Sequence, residues 1–359
     1  MAGSTARCYT RVLPSPCSLS SRNLKSWLAY DSIHCNKNIM AMFNHFWRRT
    51  PPALFPSLLG LFGLSLAWRA AARIWEVPAD VGEWLGLGAT LILLVTLSSY
   101  VAKLCIRPSV LWDDLMIDPA RGSVSAGSMC AMAMAAFLLP YTSLGAFLVW
   151  WMALGLHLIY FISVVLILLR HHSTLSQVTP VFLLPAVGVL VATLAGPELG
   201  HIGFSRAVLL LSVPLWAIIL AVSVWNGWRA TVPHHHRSSY AVFLVPPALV
   251  ALGVHQLDGA PWFSTFWIVT NLTGLVLLPL IPWMARGGWS ADWGNFCFPL
   301  AAFSAVQMLA IESGHGSFAQ MLAVISLGAG SLLIPHILIR TYQDWFAGRL
   351  AEATKAAVA

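Results

Sequence analysis

The chain contains 359 residues, of which 58% are hydrophobic and only 9% are Asp, Glu, Lys or Arg. An ordinary soluble domain carries about 25% charged residues, because charge must cover its surface. This composition excludes a soluble enzyme, a soluble nucleic-acid-binding protein and a disordered regulator as first interpretations. The formal net charge of +7 must be compared with the positions of the basic residues, since membrane proteins collect Lys and Arg on their cytoplasmic side.

The N-terminal part differs in composition from the rest of the chain. Residues 1–39 are rich in Ser, contain five basic residues against one acid, Asp31, and lack a continuous apolar run. They have neither the apolar core nor the cleavage site of a secretory signal. We interpret residues 1–52 as a cytoplasmic segment that is disordered or that begins at a wrongly assigned translation start. Met40 and Met42 are the alternative starts. An organelle transit peptide is the remaining interpretation.

Ten apolar runs follow, each about as long as a membrane helix. A helix needs about 20 apolar residues to cross a hydrocarbon layer of about 30 Å, and its backbone groups must bond within the segment. We number the runs segments 1 to 10, at residues 53–75, 82–104, 123–141, 144–169, 179–196, 203–228, 239–257, 261–284, 291–312 and 317–341. The predicted fold class is an all-α membrane protein, with a transmembrane domain of ten helices over residues 53–345 and a cytoplasmic tail over residues 346–359. The alternative count is eight or nine helices, with segment 3 or segment 5 re-entrant.

The basic residues predict the orientation of these segments. With the N-terminus inside, 17 of the 20 Lys and Arg residues fall on the inner side, and only Arg69, Arg73 and Arg206 fall on the outer side. The acidic residues divide almost evenly, as expected when basic residues alone set the orientation. Both termini are therefore predicted to be cytoplasmic. The positive charge is explained by topology, so no nucleic-acid partner is expected.

Most odd-numbered segments carry an interior proline near a phenylalanine. The pairs are Phe55 with Pro56, Phe182 with Pro185, Phe243 with Pro247, and Phe298 with Pro299. A proline removes a backbone hydrogen bond, and in a membrane the freed carbonyl must face protein or water. The pattern predicts five helical hairpins, in which the odd helices form an inner pore ring and the even helices an outer ring. The alternative explanation is that Pro and Gly are simply common in membrane helices.

Three stretches of the sequence resemble a known family. They are residues 63–68 (GLSLAW), residues 179–188 (TPVFLLPAVG), and Pro282-Trp283 followed by residues 293–301 (WGNFCFPLA). Their order and spacing over residues 50–345 are similar to those of the tellurite-resistance/dicarboxylate transporter family, to which the plant slow-type anion channels belong. The resemblance implies a homotrimer with one largely uncharged pore in each protomer, occluded by a phenylalanine of the ninth helix. Arg69 and Arg73 depart from the family pattern.

By motif position the resemblance makes Phe298 the candidate pore gate. An apolar ring can block ions sterically and by excluding water, and the alternative is an ordinary core phenylalanine. The other pore-lining or helix-kink candidates are Phe55, Pro56, Phe182, Pro185, Phe243, Pro247, Pro299 and Gln307. Gln307 is included because it lies on an odd-numbered segment, which should line the pathway.

The histidines and cysteines predict neither a metal site nor a catalytic residue. His157 and His336 lie on even-numbered segments, where we expect a neutral imidazole bonded to a neighbouring helix or subunit. The pair at residues 171–172 and the triplet at residues 234–236 lie in predicted loops, and no C-x-x-C or H-E-x-x-H motif occurs. No cofactor is expected and the protein is not predicted to be an enzyme. A membrane-integral enzyme that uses the histidines is the less favoured alternative.

The sequence thus predicts passive or weakly coupled conduction of small inorganic or organic anions in a cell membrane, in particular a bacterial inner membrane. The spans contain no carboxylate far from their ends, which argues against a proton-coupled carrier. No basic residue lies well inside an odd-numbered segment, which argues against the alternative function, a C4-dicarboxylate or tellurite carrier. Membrane lipid and the other subunits are the remaining expected partners.

Overall fold

The computed structural model describes residues 46–170, 178–257, 259–354 and 356. Every regular element within these residues is a helix, and the described residues from 47 onward belong to one compact unit. Eight helices of the described part are long and apolar enough to cross a membrane, and they coincide with segments 1, 2, 4 and 6 to 10. The predicted all-α membrane class is therefore confirmed for the part of the chain that the structure describes.

Most of the long helices begin and end close to the predicted runs. Segments 7 and 8 are the exceptions, because the 3-10 helix His234–Leu244 precedes the α-helix of segment 7 and the 3-10 helix Leu278–Leu280 follows that of segment 8. In chain order the long helices are Phe55–Trp75, Asp80–Ile106, Asp118–Leu138, Ser143–Arg170, Ile202–Arg229, Val245–His255, Ala260–Leu277, Gly294–Glu312 and Gly316–Phe346. Shorter helices are Ser109–Met116 between segments 2 and 3, Ile281–Ala285 at the end of segment 8, and Arg349–Ala353 in the predicted tail. Segment 3 is the helix Asp118–Leu138, which lacks the apolar character of the eight candidate spans.

Segment 5 is a broken helix. An α-helical turn, Leu183–Val187, lies between the 3-10 helices Pro180–Phe182 and Gly188–Leu194. Its whole length, Pro180–Leu194, is apolar but shorter than the eight candidate spans. Segments 3 and 5, which the sequence marked as the short runs, are therefore the two segments on which a count of ten crossings depends.

The predicted prolines mark helix starts more often than kinks. Segments 1, 5, 7 and 9 each begin with a 3-10 turn that continues as an α-helix. Pro56, Pro185 and Pro247 lie in the first turn of their α-helices, where the N–H groups have no partner within the helix in any case. Only Pro299, of the four candidates, lies inside a long helix. The expected kink is therefore replaced at the other three by a change from 3-10 to α geometry.

The odd-numbered segments contact one another in a closed order. Segment 1 contacts segment 3, segment 3 contacts segment 5, and the series continues through segments 7 and 9 back to segment 1. Each even-numbered segment packs against the odd-numbered segment before it. Burial follows the same division. In the apolar stretches of segments 1, 7 and 9, 83%, 78% and 67% of the residues are buried. In those of the even-numbered segments the buried share is only 17% to 39%.

Segments 1 and 9 lie side by side and run in the same direction. A Cβ at Gly60 would overlap the Cβ of Cys297, and one turn later a Cβ at Gly63 would lie 2.9 Å from the Cβ of Ala301. The two helices therefore advance together along a common line of contact. Glycine is required at these two positions because the backbones approach more closely than a side chain allows.

Candidate functional site

A cavity of about 210 Å³ lies between the five odd-numbered segments, and we call it the central cavity. Every odd-numbered segment contributes to its lining, and the even-numbered segments contribute none of the lining residues. Representative lining residues, one from each odd-numbered segment in order, are Gly63, Ala136, Leu194, Leu252 and Ala302. The central cavity therefore lies inside the ring of odd-numbered segments.

The polar lining of the central cavity is confined to one end. Arg69 and Arg73 lie in the last turns of segment 1, Gln256 ends segment 7, and Glu198 follows segment 5. The rest of the lining is apolar. Gly63 and Arg73 are ten positions apart, which corresponds to about 15 Å along a helix. The cavity thus has a polar end near Arg73 and an apolar end near Gly63.

Phe298 lies at the apolar end. Its side chain lines the cavity and is buried, with 5% of its surface exposed. The ring lies against Gly63, with Cδ2 at 3.3 Å from the position of a Cβ there. Phe298 is the only sequence-predicted candidate that lines the central cavity among the residues that the structure describes.

The other candidate phenylalanines pack in the core at the starts of their segments. Phe55 lies edge-on to Tyr100 of segment 2, with 5.8 Å between ring centroids. Phe182 lies 5.0 Å from the guanidinium carbon of Arg121, measured to the ring centroid. Phe243 is buried as well, with 4% of its surface exposed. The first two rings hold segments 1 and 5 to neighbouring segments, and none of the three lines the central cavity.

Gln307 faces segment 8 and not the central cavity. Its Oε1 accepts a hydrogen bond from Nε1 of Trp267 at 2.9 Å, and its Nε2 donates to Oδ1 of Asn271 at 3.0 Å. The side chain is fully buried, and a buried amide is stable only when such partners are present. Gln307 therefore ties segment 9 to segment 8.

None of the histidines that the structure describes lines the central cavity. His157 is buried, and its Nδ1 lies 2.8 Å from Oγ of Ser128 on segment 3, in agreement with the expected bond to a neighbouring helix. His336 is exposed on segment 10. Within the described residues no group of three or more His, Cys, Asp or Glu side chains could hold a metal ion. Residues 171–172 and the side chain of His235 lie outside the described part.

Arg69 is fixed in a network at the polar end. Its Nε and Nη2 donate to the two carboxylate oxygens of Glu83 at 2.9 and 2.6 Å, and its Nη1 donates to the carbonyl of Phe137 at 2.8 Å. The hydroxyl of Tyr141 donates to the same carboxylate. The network joins segments 1, 2 and 3, and Glu83 neutralises the charge of Arg69.

Arg73 lies one turn later and is held only weakly. Its side chain is 62% exposed, and its Nε lies 3.4 Å from Oε1 of Glu312. The other oxygen of Glu312 lies 4.0 Å from Nε2 of His255. An exposed pair of this kind contributes little stability. The two terminal nitrogens of Arg73 have no hydrogen-bond partner among the described residues, so they are available to a ligand.

The sequence signalled part of this polar end. Arg69 and Arg73 have the four-residue spacing that places two side chains on one face of a helix, which is the signal that they share a wall. Glu198 and Gln256 were not predicted, because both come at the end of an apolar run and resemble ordinary loop residues. The sequence prediction concerned only basic residues well inside an odd-numbered segment, and Arg69 and Arg73 lie near the end of segment 1.

A known family matches the chain. The sequence profile of the SLAC1 family, described as voltage-dependent anion channel, matches residues 49–342. The matched range includes all ten segments and every residue that lines the central cavity. No curated protein matches the chain.

Proposed function

Since the chain belongs to the SLAC1 family of voltage-dependent anion channels, we propose that it conducts small anions along the axis of its five odd-numbered segments. The observation that carries this proposal is the central cavity, which all five odd-numbered segments line. The cavity has arginines at one end and the ring of Phe298 at the other. An apolar ring at one end of such a cavity suits a gated pore, because a hydrophobic constriction can gate by excluding water.

In the proposed mechanism the two ends of the cavity have different tasks. The guanidinium of Arg73 raises the local concentration of anions at the polar end. The deep wall is uncharged, so an anion is held weakly there and can leave as readily as it enters. The ring of Phe298 closes the path until it moves aside. Conduction is passive or weakly coupled, because the acidic residues of the described spans lie near the span ends.

The proposal includes the arrangement in the membrane. Ten transmembrane helices form five hairpins with both termini cytoplasmic, in the cell membrane and specifically in a bacterial inner membrane. The closed order of contacts among odd-numbered segments and the exposed apolar faces of the even-numbered ones support this arrangement. Three such protomers form a trimer, each with its own pathway. Residues 1–52 and 346–359 flank the transmembrane domain on the cytoplasmic side.

A carrier of C4-dicarboxylates is less well supported than a channel for singly charged anions. A doubly charged substrate needs two free cationic donors. Nε and Nη2 of Arg69 are already paired with the carboxylate of Glu83, so Arg73 is the one free cationic donor among the described residues that line the cavity. The SLAC1 family is one of channels and transporters, which also makes the enzymatic alternative unnecessary.

Flux into liposomes tests the proposal directly. Purified protein is reconstituted into vesicles that contain a halide-sensitive dye, and chloride and nitrate entry is compared with potassium entry. We expect entry of both anions above that into protein-free vesicles, with little potassium entry. Equal permeability to potassium, or no flux from either wild type or a variant without the Phe298 ring, would contradict the proposed function.

A further inference from the structure

We infer that the polar end of the central cavity binds a monocarboxylate with a short apolar tail, and that Arg73 holds its carboxylate. This inference rests on the proposed function for its role in transport. The binding itself is a property of the cavity and can be measured without transport. The inference combines a free guanidinium with the apolar wall next to it.

The two arginines differ in what they offer to a ligand. The three N–H groups of Arg69 that face its neighbours are already used, two by Glu83 and one by the carbonyl of Phe137. Arg73 uses only Nε, at 3.4 Å from Glu312, and its terminal nitrogens are free within the described part of the chain. A guanidinium with free N–H groups binds a planar carboxylate through two parallel hydrogen bonds. The carboxylate of the ligand is therefore assigned to Arg73.

The wall beyond the arginines is suited to an apolar tail. Leu66 lies about two turns before Arg73 on segment 1, and Leu139 and Leu252 line the cavity from segments 3 and 7. Each methylene group buried against such a wall tightens binding by about fourfold. The volume of about 210 Å³ is below the range of about 300–1,000 Å³ typical for drug-sized ligands, which favours a small ligand. A chloride ion would leave most of this wall without contact.

The same geometry disfavours a second carboxylate on the ligand. If placed deep in the cavity, that group would lose water against an uncharged wall without gaining a partner. If placed at the polar end, it would face Glu198, an exposed carboxylate in the cavity lining, and like charges repel. The structure therefore assigns the site to monocarboxylates and against dicarboxylates of similar length.

Binding of acetate, propionate, butyrate and succinate to the purified full-length protein tests the assignment. Stabilisation against heat, measured as a function of ligand concentration at constant pH and ionic strength, gives the affinities. We expect affinity to rise by about three- to fourfold with each methylene from acetate to butyrate, and succinate to bind more weakly than butyrate. A flat series, or succinate as tight as butyrate, would overturn the inference.

Two matched substitutions locate the site. Arg73→Gln should weaken butyrate binding by about tenfold or more, because the charged hydrogen bonds are lost. Arg206→Gln removes the same charge from an exposed position on segment 6 that does not line the cavity, and it should leave the affinity unchanged. Equal effects of the two variants would show a general charge effect and refute the site. If Arg73→Gln fails to fold, Arg73→Lys keeps the charge but not the paired geometry, and it should still bind more weakly than wild type.

A third variant tests the tail, and the outcomes separate this inference from the proposed function. Leu66→Asn, at a partly exposed position in the wall, should bind acetate as wild type does but lose the increase with chain length. An unchanged increase would contradict the assigned wall. The expected binding series without anion flux in liposomes would leave the site standing and refute the proposed function. Anion flux together with a flat binding series would refute the binding site and leave the proposed function standing.

Discussion

The aromatic ring of Phe298 lies against Gly63, a residue of the neighbouring helix that has no side chain. A Cβ at position 63 would lie 3.3 Å from Cδ2 and 3.4 Å from Cε2 of the ring. The glycine thus gives the ring its space at the apolar end of the central cavity. The line of closest contact between segments 1 and 9 therefore also determines where the candidate gate lies.

Replacing Phe298 by Ala should raise chloride and nitrate flux well above wild type, since the ring is removed while Pro299 stays in the helix. Phe263→Ala is the matched control, because Phe263 is equally buried on segment 8 and packs against His255 and His315 outside the cavity lining. Both changes should cost about 3–5 kcal/mol of stability through a cavity. Flux is measured per folded protein in liposomes. Flux of Phe298→Ala at or below the level of Phe263→Ala would mean that Phe298 is only a core residue.

Gly63→Ala should destabilise the protein, because the new methyl group would lie 2.9 Å from the Cβ of Ala301. Overpacking of this kind costs about 1–3 kcal/mol. Gly88→Ala is the control, since a Cβ there meets no atom within 4 Å and alanine gains about 0.5–1 kcal/mol over glycine inside a helix. Thermal unfolding in detergent should shift in opposite directions for the two variants. A shift in the same direction would contradict the close contact between segments 1 and 9.

Glu83→Gln should expose the charge of Arg69 to the central cavity, because the neutral amide no longer balances it. We expect half-saturation of chloride flux at a lower chloride concentration than in wild type. The loss of hydrogen bonds to a charged group should also cost about 1.5–3 kcal/mol. Both effects are measured on the same preparation, by flux against chloride concentration and by thermal unfolding.

Glu352→Gln is the control for this change. Glu352 is 80% exposed and lies 3.8 Å from Arg49, so its pair should contribute about 0–1 kcal/mol. It should leave the concentration dependence of flux as in wild type. If Glu83→Gln behaves like Glu352→Gln in both measurements, the network around Arg69 has no influence on the cavity.

Native mass spectrometry in mild detergent should detect a trimer. The expected contacts are between even-numbered segments, whose exposed apolar faces are the ones available to another protomer. Cross-linking of the same preparation should give a three-chain product as its largest species. Only monomers or dimers, found across several mild detergents, would contradict this prediction.

The helices could be predicted from the sequence because membrane thickness is a local constraint on each run. The bounds of Phe55–Trp75 and Gly294–Glu312 follow from where apolar residues begin and end. The direction of a single side chain could not be predicted in the same way. Segment 9 is apolar on every face, so its pattern gives no reason for Gln307 to turn towards Trp267 and not towards the cavity.

The polar end of the cavity was harder to predict for a different reason. The charge of Arg69 is balanced by the carboxylate of Glu83. Glu83 reaches Arg69 because the chain reverses at Glu76, in a left-handed conformation with φ of 53°. Such a pairing is tertiary, and the spacing of two charges in the sequence does not specify it. The position of Phe298 was predictable through the resemblance to a family, since one phenylalanine among 17 carries no such signal alone.

Topology can be tested with pairs of single cysteines in a variant whose exposed Cys105 and N-terminal cysteines are replaced by serine. Cys130 and Cys297 are buried and can remain. Ser109→Cys and Ser313→Cys are matched substitutions at exposed positions, the first at the start of the helix Ser109–Met116 and the second in the turn after Gly294–Glu312. Ser109 is predicted to be cytoplasmic and Ser313 external. An impermeant maleimide should label Ser313→Cys in intact cells and Ser109→Cys only after the cells are opened.

The same labelling distinguishes the alternative helix counts. Seven crossings, segments 3 to 9, separate Ser109 from Ser313 if all ten segments span the membrane. If segment 3 or segment 5 alone is re-entrant, six crossings remain and both cysteines lie on the same side. If both are re-entrant, five remain and the two cysteines again lie on opposite sides.

Thr142→Cys resolves this last case, because Thr142 follows segment 3 and is exposed. It should be labelled from outside only when segment 3 crosses, so protection of Thr142→Cys together with labelling of Ser313→Cys would replace ten crossings by eight.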